Sequence, residues 1–201
     1  EKLLPIIKEE LIRLGFKHIY LKTKSSSQKI EGIGAENWIT EPATMPVEVL
    51  ENGLKYNVNV ETGQKTGFFI DQRNNRQLLS KYVAGKSVLN TFCYSGGFSV
   101  YALKAGAKLV HSVDSSQKAI DWTNENMELN GLDPNKYESF TSDVLKFLND
   151  PPQSYDVIVL DPPAFAKSMK ARHRAMKAYR RLNAKALRQI KSGGILFTFS
   201  C

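Results

Sequence analysis

Apolar and polar positions follow two different rhythms along this chain. Near the start, Leu3, Leu4, Ile7, Leu11 and Leu14 recur at helical spacing. That spacing predicts an amphipathic helix over residues 1–14, closed by Gly15 as its C-cap. Residues 18–21 predict a short strand. The polar stretch 22–34, with three consecutive serines, predicts a loop. Between 47 and 60, two alternating runs flank Glu51-Asn52-Gly53, the signature of a hairpin with a tight primed turn. These elements predict a small α+β domain over residues 1–62, with no catalytic cluster.

From about residue 63 the rhythm changes to short apolar runs separated by helical periods. Helices are expected at 71–83, 97–105, 117–130, 144–148 and 171–190. Strands are expected at 87–92, 108–113, 137–141, 156–160 and 195–200. Buried strands alternating with helices predict a doubly wound, mostly parallel α/β sheet over residues 63–201.

Ligands of open parallel sheets bind beyond the carboxyl ends of the strands. The first strand runs into Phe92-Cys93-Tyr94-Ser95-Gly96-Gly97, where paired glycines let backbone approach a ligand. The pattern is not GxGxxG, which disfavours a dinucleotide. The second strand is followed by Asp114 and Ser115, an acid at the distance from a glycine turn where ribose hydroxyls are bound. The third is followed by Ser142 and Asp143. The fourth is followed by Asp161-Pro162-Pro163-Ala164-Phe165. Each Asp taken singly also fits a helix N-cap. Three strand-end acids together with a glycine turn describe a pocket for an adenosine-bearing ligand.

Composition narrows the partner. With 42% hydrophobic and 24% charged residues in 201, the chain is globular in type, without an apolar run of the roughly 18 residues a membrane span needs. No signal peptide is visible. Cys93 and Cys201 form neither a disulfide framework nor a metal signature, which suits a reducing cytoplasm. His18, His111 and His173 have no ligand spacing, and no metal is expected. The missing initiating Met and the strand-like ending predict a piece of a longer protein. The net charge is +8, and its placement is more telling than its size. From Phe165 to the end there are ten Lys and Arg and no Asp or Glu, against eighteen cations and twenty anions before it. An uncompensated basic segment beside the fourth strand end implies a polyanion, nucleic acid above all. A merely solvated helix would be expected to mix signs.

The order of glycine loop, ribose acid, adenine-side acid and DPP-aromatic resembles a class I S-adenosylmethionine-dependent methyltransferase. More narrowly, "KTGFFIDQR", "LNTFCYSGGFSVYA", "SVDSSQKAID", "DVIVLDPPAF" and "GGILFTFSC" resemble the family that methylates C5 of cytosine in large-subunit ribosomal RNA. The likeness covers residues 50–201. It implies a Rossmann-like fold, S-adenosyl-L-methionine as cofactor with S-adenosyl-L-homocysteine as product, ribosomal RNA as partner, and a cytoplasmic location. Family members carry an RNA-binding PUA domain before a small central domain, so the resemblance implies that this chain lacks the PUA part. The oligomeric state stays open, a homodimer among the options.

The resemblance also implies site residues. Lys65, Thr66 and Phe69 would cover the cofactor, and Arg73 would pair with its methionine carboxylate. Phe92, Tyr94, Ser95, Gly96, Gly97, Asp114, Ser115, Ser142, Asp143 and Asp161 would complete that site. Aromatic C5 is a poor nucleophile, and the usual remedy is a thiolate adding to C6 of the ring. Cys201 is implied as that thiolate, with Asp161 holding N3 or the exocyclic amine. Pro162 and Pro163 would lock the loop, and Phe165 would pack against an extruded base. Lys167, Arg172 and Arg174 would meet RNA. The place where many RNA cytosine-C5 enzymes hold a second Cys is occupied by Pro163, which leaves the C5 proton acceptor unassigned. A DPP-aromatic motif also resembles enzymes that methylate ring or exocyclic nitrogens, so guanine N-methylation is the nearest alternative. An inert RNA-binding domain and a small-molecule methyltransferase are more distant ones. Cys93, inside the glycine loop, is read as packing.

Overall fold

The computed structural model describes residues 3–23, 37–165 and 172–200. The chain divides into two compact units, one formed by residues 1–49 and 57–70, the other by 50–56 and 71–201.

In the first unit, α1 (Leu4–Arg13) begins with Pro5 at a position where a missing N–H costs nothing. Strand β1 (Tyr20–Leu21) pairs antiparallel with β2 (Asn37–Trp38), setting the rings of Tyr20 and Trp38 5.1 Å apart. Most of the loop expected at 22–34 lies outside the described residues. Lys22 Nζ ties this unit together by donating to the carbonyls of Val60 and Gly63 at 2.7 and 2.6 Å. The predicted hairpin is present as β3 (Val47–Glu51) and β4 (Leu54–Val58), of which residues 50–56 belong to the second unit. Asn52 and Gly53 both have positive φ, 51° and 79°, as the expected primed turn requires.

The second unit is the α/β sheet. Strands β5 (Ser87–Thr91), β6 (Leu109–Asp114), β7 (Tyr137–Thr141), β8 (Tyr155–Leu160) and β9 (Ile190–Thr198) are ordered β7-β6-β5-β8-β9, with every neighbouring pair parallel. Helices α2 (Arg73–Leu79), α3 (Gly97–Lys104), α4 (Gln117–Leu129), α5 (Val144–Phe147) and α6 (Arg172–Gln189) make the connections. The three central strands β5, β6 and β8 are buried on both faces, which is why they read as apolar runs. Leu89, Val113, Ile158 and Leu160 pack with Leu148, Leu182 and Ala186 in one hydrophobic core. Each large side chain buried so completely contributes about 1.5–3 kcal/mol.

Two boundaries in the second unit differ most from expectation. The helix expected at 71–83 is a 3-10 turn at Ile70–Gln72 followed by the shorter α2. The last strand begins at Ile190, five residues earlier than expected, because it carries a bulge. Ile190 pairs with Tyr155 and Ile195 with Val157, so four residues face Asp156 alone.

Candidate active site

Strand order reverses between β5 and β8, and the loops leaving these two strands flank the crevice where open α/β sheets bind ligands. Register aligns the strand ends. Thr91 lies beside Val113 and Leu160, Asp114 beside Thr141, and Leu160 beside Thr198. The glycine loop, Asp114, the Ser142-Asp143 pair and Asp161 therefore leave the sheet along one edge.

The glycine loop is wound unusually tightly. Phe92, Tyr94 and Gly96 have φ of 55°, 50° and 76°. Two of these are not glycine, so the surrounding contacts must hold the conformation. Helix α4 supplies them. Thr123 Oγ1 donates to the Tyr94 carbonyl and Asn126 Nδ2 to the Ser95 carbonyl, both at 2.9 Å. Thr123 and Asn126 are fully buried polar residues on the apolar face of α4. Polar residues at that spacing among Ala119, Ile120 and Met127 were the available signal for this role, and sequence reasoning missed it. A Cβ on Gly96 would stand 2.8 Å from Thr123 Cγ2. Gly97 is less tightly constrained: a Cβ there would meet Arg76 Cδ at 3.1 Å.

Arg76 is the buried cation behind this loop. Its guanidinium pairs with Glu51 through bonds of 2.8 and 2.7 Å, and Tyr101 donates to the same carboxylate. Both partners are under 7% exposed. Arg73, the expected partner of a methionine carboxylate, donates to Asn52 Oδ1 at 3.0 Å. Lys65, Thr66 and Phe69 belong to the first unit. There the Lys65 ammonium sits 5.0 Å from the centre of the Phe69 ring, and Thr66 Oγ1 donates to the Phe68 carbonyl.

The three strand-end acids differ in their partners. Asp114 accepts from the Tyr94 N–H through Oδ2 and from the Ser116 N–H through Oδ1, at 3.1 and 3.0 Å. It thus ties the glycine loop to β6. Each carboxylate oxygen has a second lone pair, so the group retains capacity for a ribose diol. Ser115 lies between Asp114 and Ser116 in sequence. Asp143 is exposed and caps α5 by accepting from the Lys146 N–H at 2.9 Å, while the Ser142 N–H reaches the Asp114 carbonyl. Asp161 accepts from Gln72 Nε2 at 3.2 Å. Gln72 stands inside the KTGFFIDQR motif, whose Lys65, Thr66, Phe69 and Arg73 were expected at the cofactor, with no role expected for Gln72 itself.

Beyond Asp161, Pro162 is buried and Pro163 exposed. Phe165 packs its ring on Tyr179 of α6, centroids 4.6 Å apart. Near the end of β9, Phe199 stacks on Phe98 of α3 at 5.6 Å and donates its N–H to the Leu160 carbonyl. A cavity of about 520 Å³ lies here, lined by Arg172, Met176, Tyr179, Asn183, Thr198 and Phe199 among others. Arg172 and Arg174 are both exposed on α6. Cys201, two residues beyond Phe199 in sequence, lies outside the described residues, as does Lys167. Cys93 is buried, and burial pushes its thiol up to about 12. A thiol so disfavoured as thiolate is a packing group. His111 is likewise structural: its Nδ1 lies 2.8 Å from the Tyr155 hydroxyl, and burial lowers its pKa. Among the described residues no His, Cys, Asp and Glu cluster could hold a metal. No helix there is long and apolar enough to cross a membrane.

A tight loop pinned to α4, a ribose-competent Asp114 and a DPP strand end together fit an adenosine-bearing sulfonium cofactor. The comparisons agree. Ribosomal RNA large subunit methyltransferase I of Aeromonas salmonicida is 44% identical over 188 residues, covering 91% of this chain and 48% of the relative. Its counterpart in Aeromonas hydrophila is 45% identical over 189 residues, with the same coverage. The chain thus spans about half the length of the curated relatives it matches. A crystal structure of a protein assigned as a methyltransferase, complexed with SAH, superposes with a TM-score of 0.78 at 29% identity, covering 97% of this chain and 52% of that one. The sequence pattern of the S-adenosylmethionine-dependent methyltransferases matches residues 18–201, and this chain belongs to that family.

Proposed function

We propose that this chain is the catalytic part of a cytoplasmic enzyme that forms 5-methylcytosine in large-subunit ribosomal RNA. One observation carries the nucleic-acid part of this reading. Helix α6 connects the Asp161 strand to the strand that leads to Cys201, and it contains eight Lys, Arg and His residues and no acid. Its Arg172, Arg174, Lys177, Arg180, Arg181 and Arg188 are all exposed. A surface of that kind beside the site suits a polyphosphate and is wasted on a small neutral substrate. The names of the curated relatives support the ribosomal assignment.

The cofactor supplies an electrophilic methyl group. The chain's own residues have to make C5 of the base nucleophilic. In this reading the Cys201 sulfur bonds to C6 of the cytosine ring, which leaves electron density on C5. Asp161 holds the N3 and amine edge while that charge develops. After transfer, a base takes the C5 proton, and the electron pair of that C–H bond re-forms the C5–C6 double bond as the sulfur leaves C6 as thiolate. Pro162 and Pro163, both with φ fixed and neither with an N–H, keep the Asp161 loop from rearranging. Cys93 cannot substitute as nucleophile, for the reason given above.

The test is methyl transfer by the full-length protein to ribosomal RNA, with the modified nucleoside identified by mass spectrometry. The wild type is expected to yield 5-methylcytidine. Cys201→Ala is expected to abolish it while cofactor affinity stays within a few-fold. A methylated guanine from an active Cys201→Ala protein would replace this reading with nitrogen methylation.

A further inference from the structure

The three strand-end acids differ in one respect that their sequences explain. Asp114 takes the N–H of Ser116, two residues on, and Asp143 takes the N–H of Lys146, three residues on. Local backbone donors thus orient both carboxylates. Asp161 is followed by Pro162 and Pro163, so neither of the next two residues has an N–H to offer. A donor to this acid comes from 89 residues earlier, where Gln72 Nε2 reaches Asp161 Oδ1 at 3.2 Å.

We propose that Gln72 is a positioning residue for the Asp161 carboxylate, and that Asn75 sets the direction of its amide. The proposal rests on the reading of Asp161 as the acid that meets the target base. Asn75 Nδ2 donates to Gln72 Oε1 at 2.7 Å. That bond occupies the oxygen end of the Gln72 amide and turns its NH2 end toward Asp161. The direction is assigned from the hydrogen-bond network. With the amide reversed, its oxygen would face the Asp161 oxygen and Asn75 would lose its acceptor. The relay stands on a fixed base. Gln72 closes a 3-10 turn that leads directly into α2, and α2 is anchored by the buried Arg76–Glu51 pair that also supports Gly97. One short segment, Gln72–Arg76, therefore braces both the cofactor loop and the acid of the target site.

Full-length Gln72→Met, Asn75→Asp and the double variant test this. Methionine keeps the length of Gln72 without a donor, and aspartate at 75 can no longer donate. Each single variant is expected to lower kcat about tenfold or more, with cofactor affinity and thermal midpoint unchanged. The double variant is expected to lose no more than the worse single one, since Asn75 acts through Gln72. A 15N-labelled sample gives a readout independent of turnover: the Gln72 side-chain amide signal should move in Asp161→Asn and in Asn75→Asp. A kcat within twofold of wild type in Gln72→Met, multiplying losses in the double variant, or an amide signal indifferent to Asp161→Asn would each overturn the proposal. If the wild type transfers no methyl group to RNA, the proposed function falls, and the amide signal still decides whether Gln72 orients Asp161.

Discussion

At the scale of single residues, Gly96 and Gly53 separate two kinds of glycine. Both have positive φ, 76° and 79°, but Gly53 has nothing within 4 Å of where a Cβ would be, while at Gly96 a Cβ would stand 2.8 Å from Thr123. Gly53→Ala therefore bears only the left-handed backbone cost, about 1 kcal/mol. Gly96→Ala adds a clash with a buried side chain whose hydroxyl holds the Tyr94 carbonyl. It is expected to destabilise by about 2–4 kcal/mol and to weaken S-adenosylmethionine binding by at least tenfold. Chemical denaturation and calorimetry of the two variants measure the contrast, and equal cofactor affinity in both would contradict it. The same residues show what the sequence could convey about the site. Gly96, Asp114 and Asp161 were legible because each stands at a fixed place in a local strand-to-helix turn. Gln72, Glu51 and Thr123 were not, because their importance lies in partners 89, 25 and 29 residues away. No local pattern records such a pairing.

At the scale of elements, the sheet was legible because β5, β6 and β8 are short buried runs bounded by turns. Strand β9 was read from Ile195 because Lys191-Ser192-Gly193-Gly194 has turn composition. The structure spends those residues on a bulge inside the strand. Gly193 has a φ of 74°, and a Cβ on Gly194 would lie 2.8 Å from the Asp156 carbonyl. The bulge brings Lys191 Nζ within 3.2 Å of Asp156 Oδ2, which also accepts from the Ser87 N–H and hydroxyl at 2.8 and 2.7 Å. This cluster joins the starts of β5, β8 and β9, at the end of the sheet opposite the site. Burial alone would raise the Asp156 pKa, but the Ser87 bonds and the Lys191 charge outweigh it and bring it down to about 2. A carboxyl depressed in the fold stabilises it above its ordinary pKa near 4, and that contribution is lost as pH falls through about 2. Solvent at the rim screens the cluster, leaving about 1–2 kcal/mol. Asp156→Asn should be less stable than wild type by that amount at pH 7, and the gap should close by pH 2. Urea denaturation at the two pH values decides it, and a gap that persists in acid would rule out the electrostatic account.

At the scale of the molecule, a net charge of +8 says less than the arrangement of α6. Its buried residues, Ala175, Leu182 and Ala186, form a narrow apolar stripe. Arg174, Lys177, Arg181 and Arg188 fall at helical spacing on the opposite face and span about 21 Å of axis at 1.5 Å per residue. All four are exposed, and among the described residues none forms an ion pair within the chain. Lys185, by contrast, is bonded to the Leu145 carbonyl and to Asn149. A row of unpaired cations opposite a minimal core stripe has to contact something outside the chain or remain simply hydrated. Salt distinguishes the two. Each phosphate that a cation neutralises releases counterions and adds roughly 0.7–0.9 to the slope of log affinity against log salt. Replacing Arg174, Lys177, Arg181 and Arg188 with Gln in the full-length protein should lower that slope for ribosomal RNA by about 3 if all four touch phosphates. Cofactor affinity should not change, because the substitutions leave the apolar stripe and the glycine loop untouched. An unaltered slope would make α6 a solvated face and remove the main physical reason for assigning this methyltransferase to RNA.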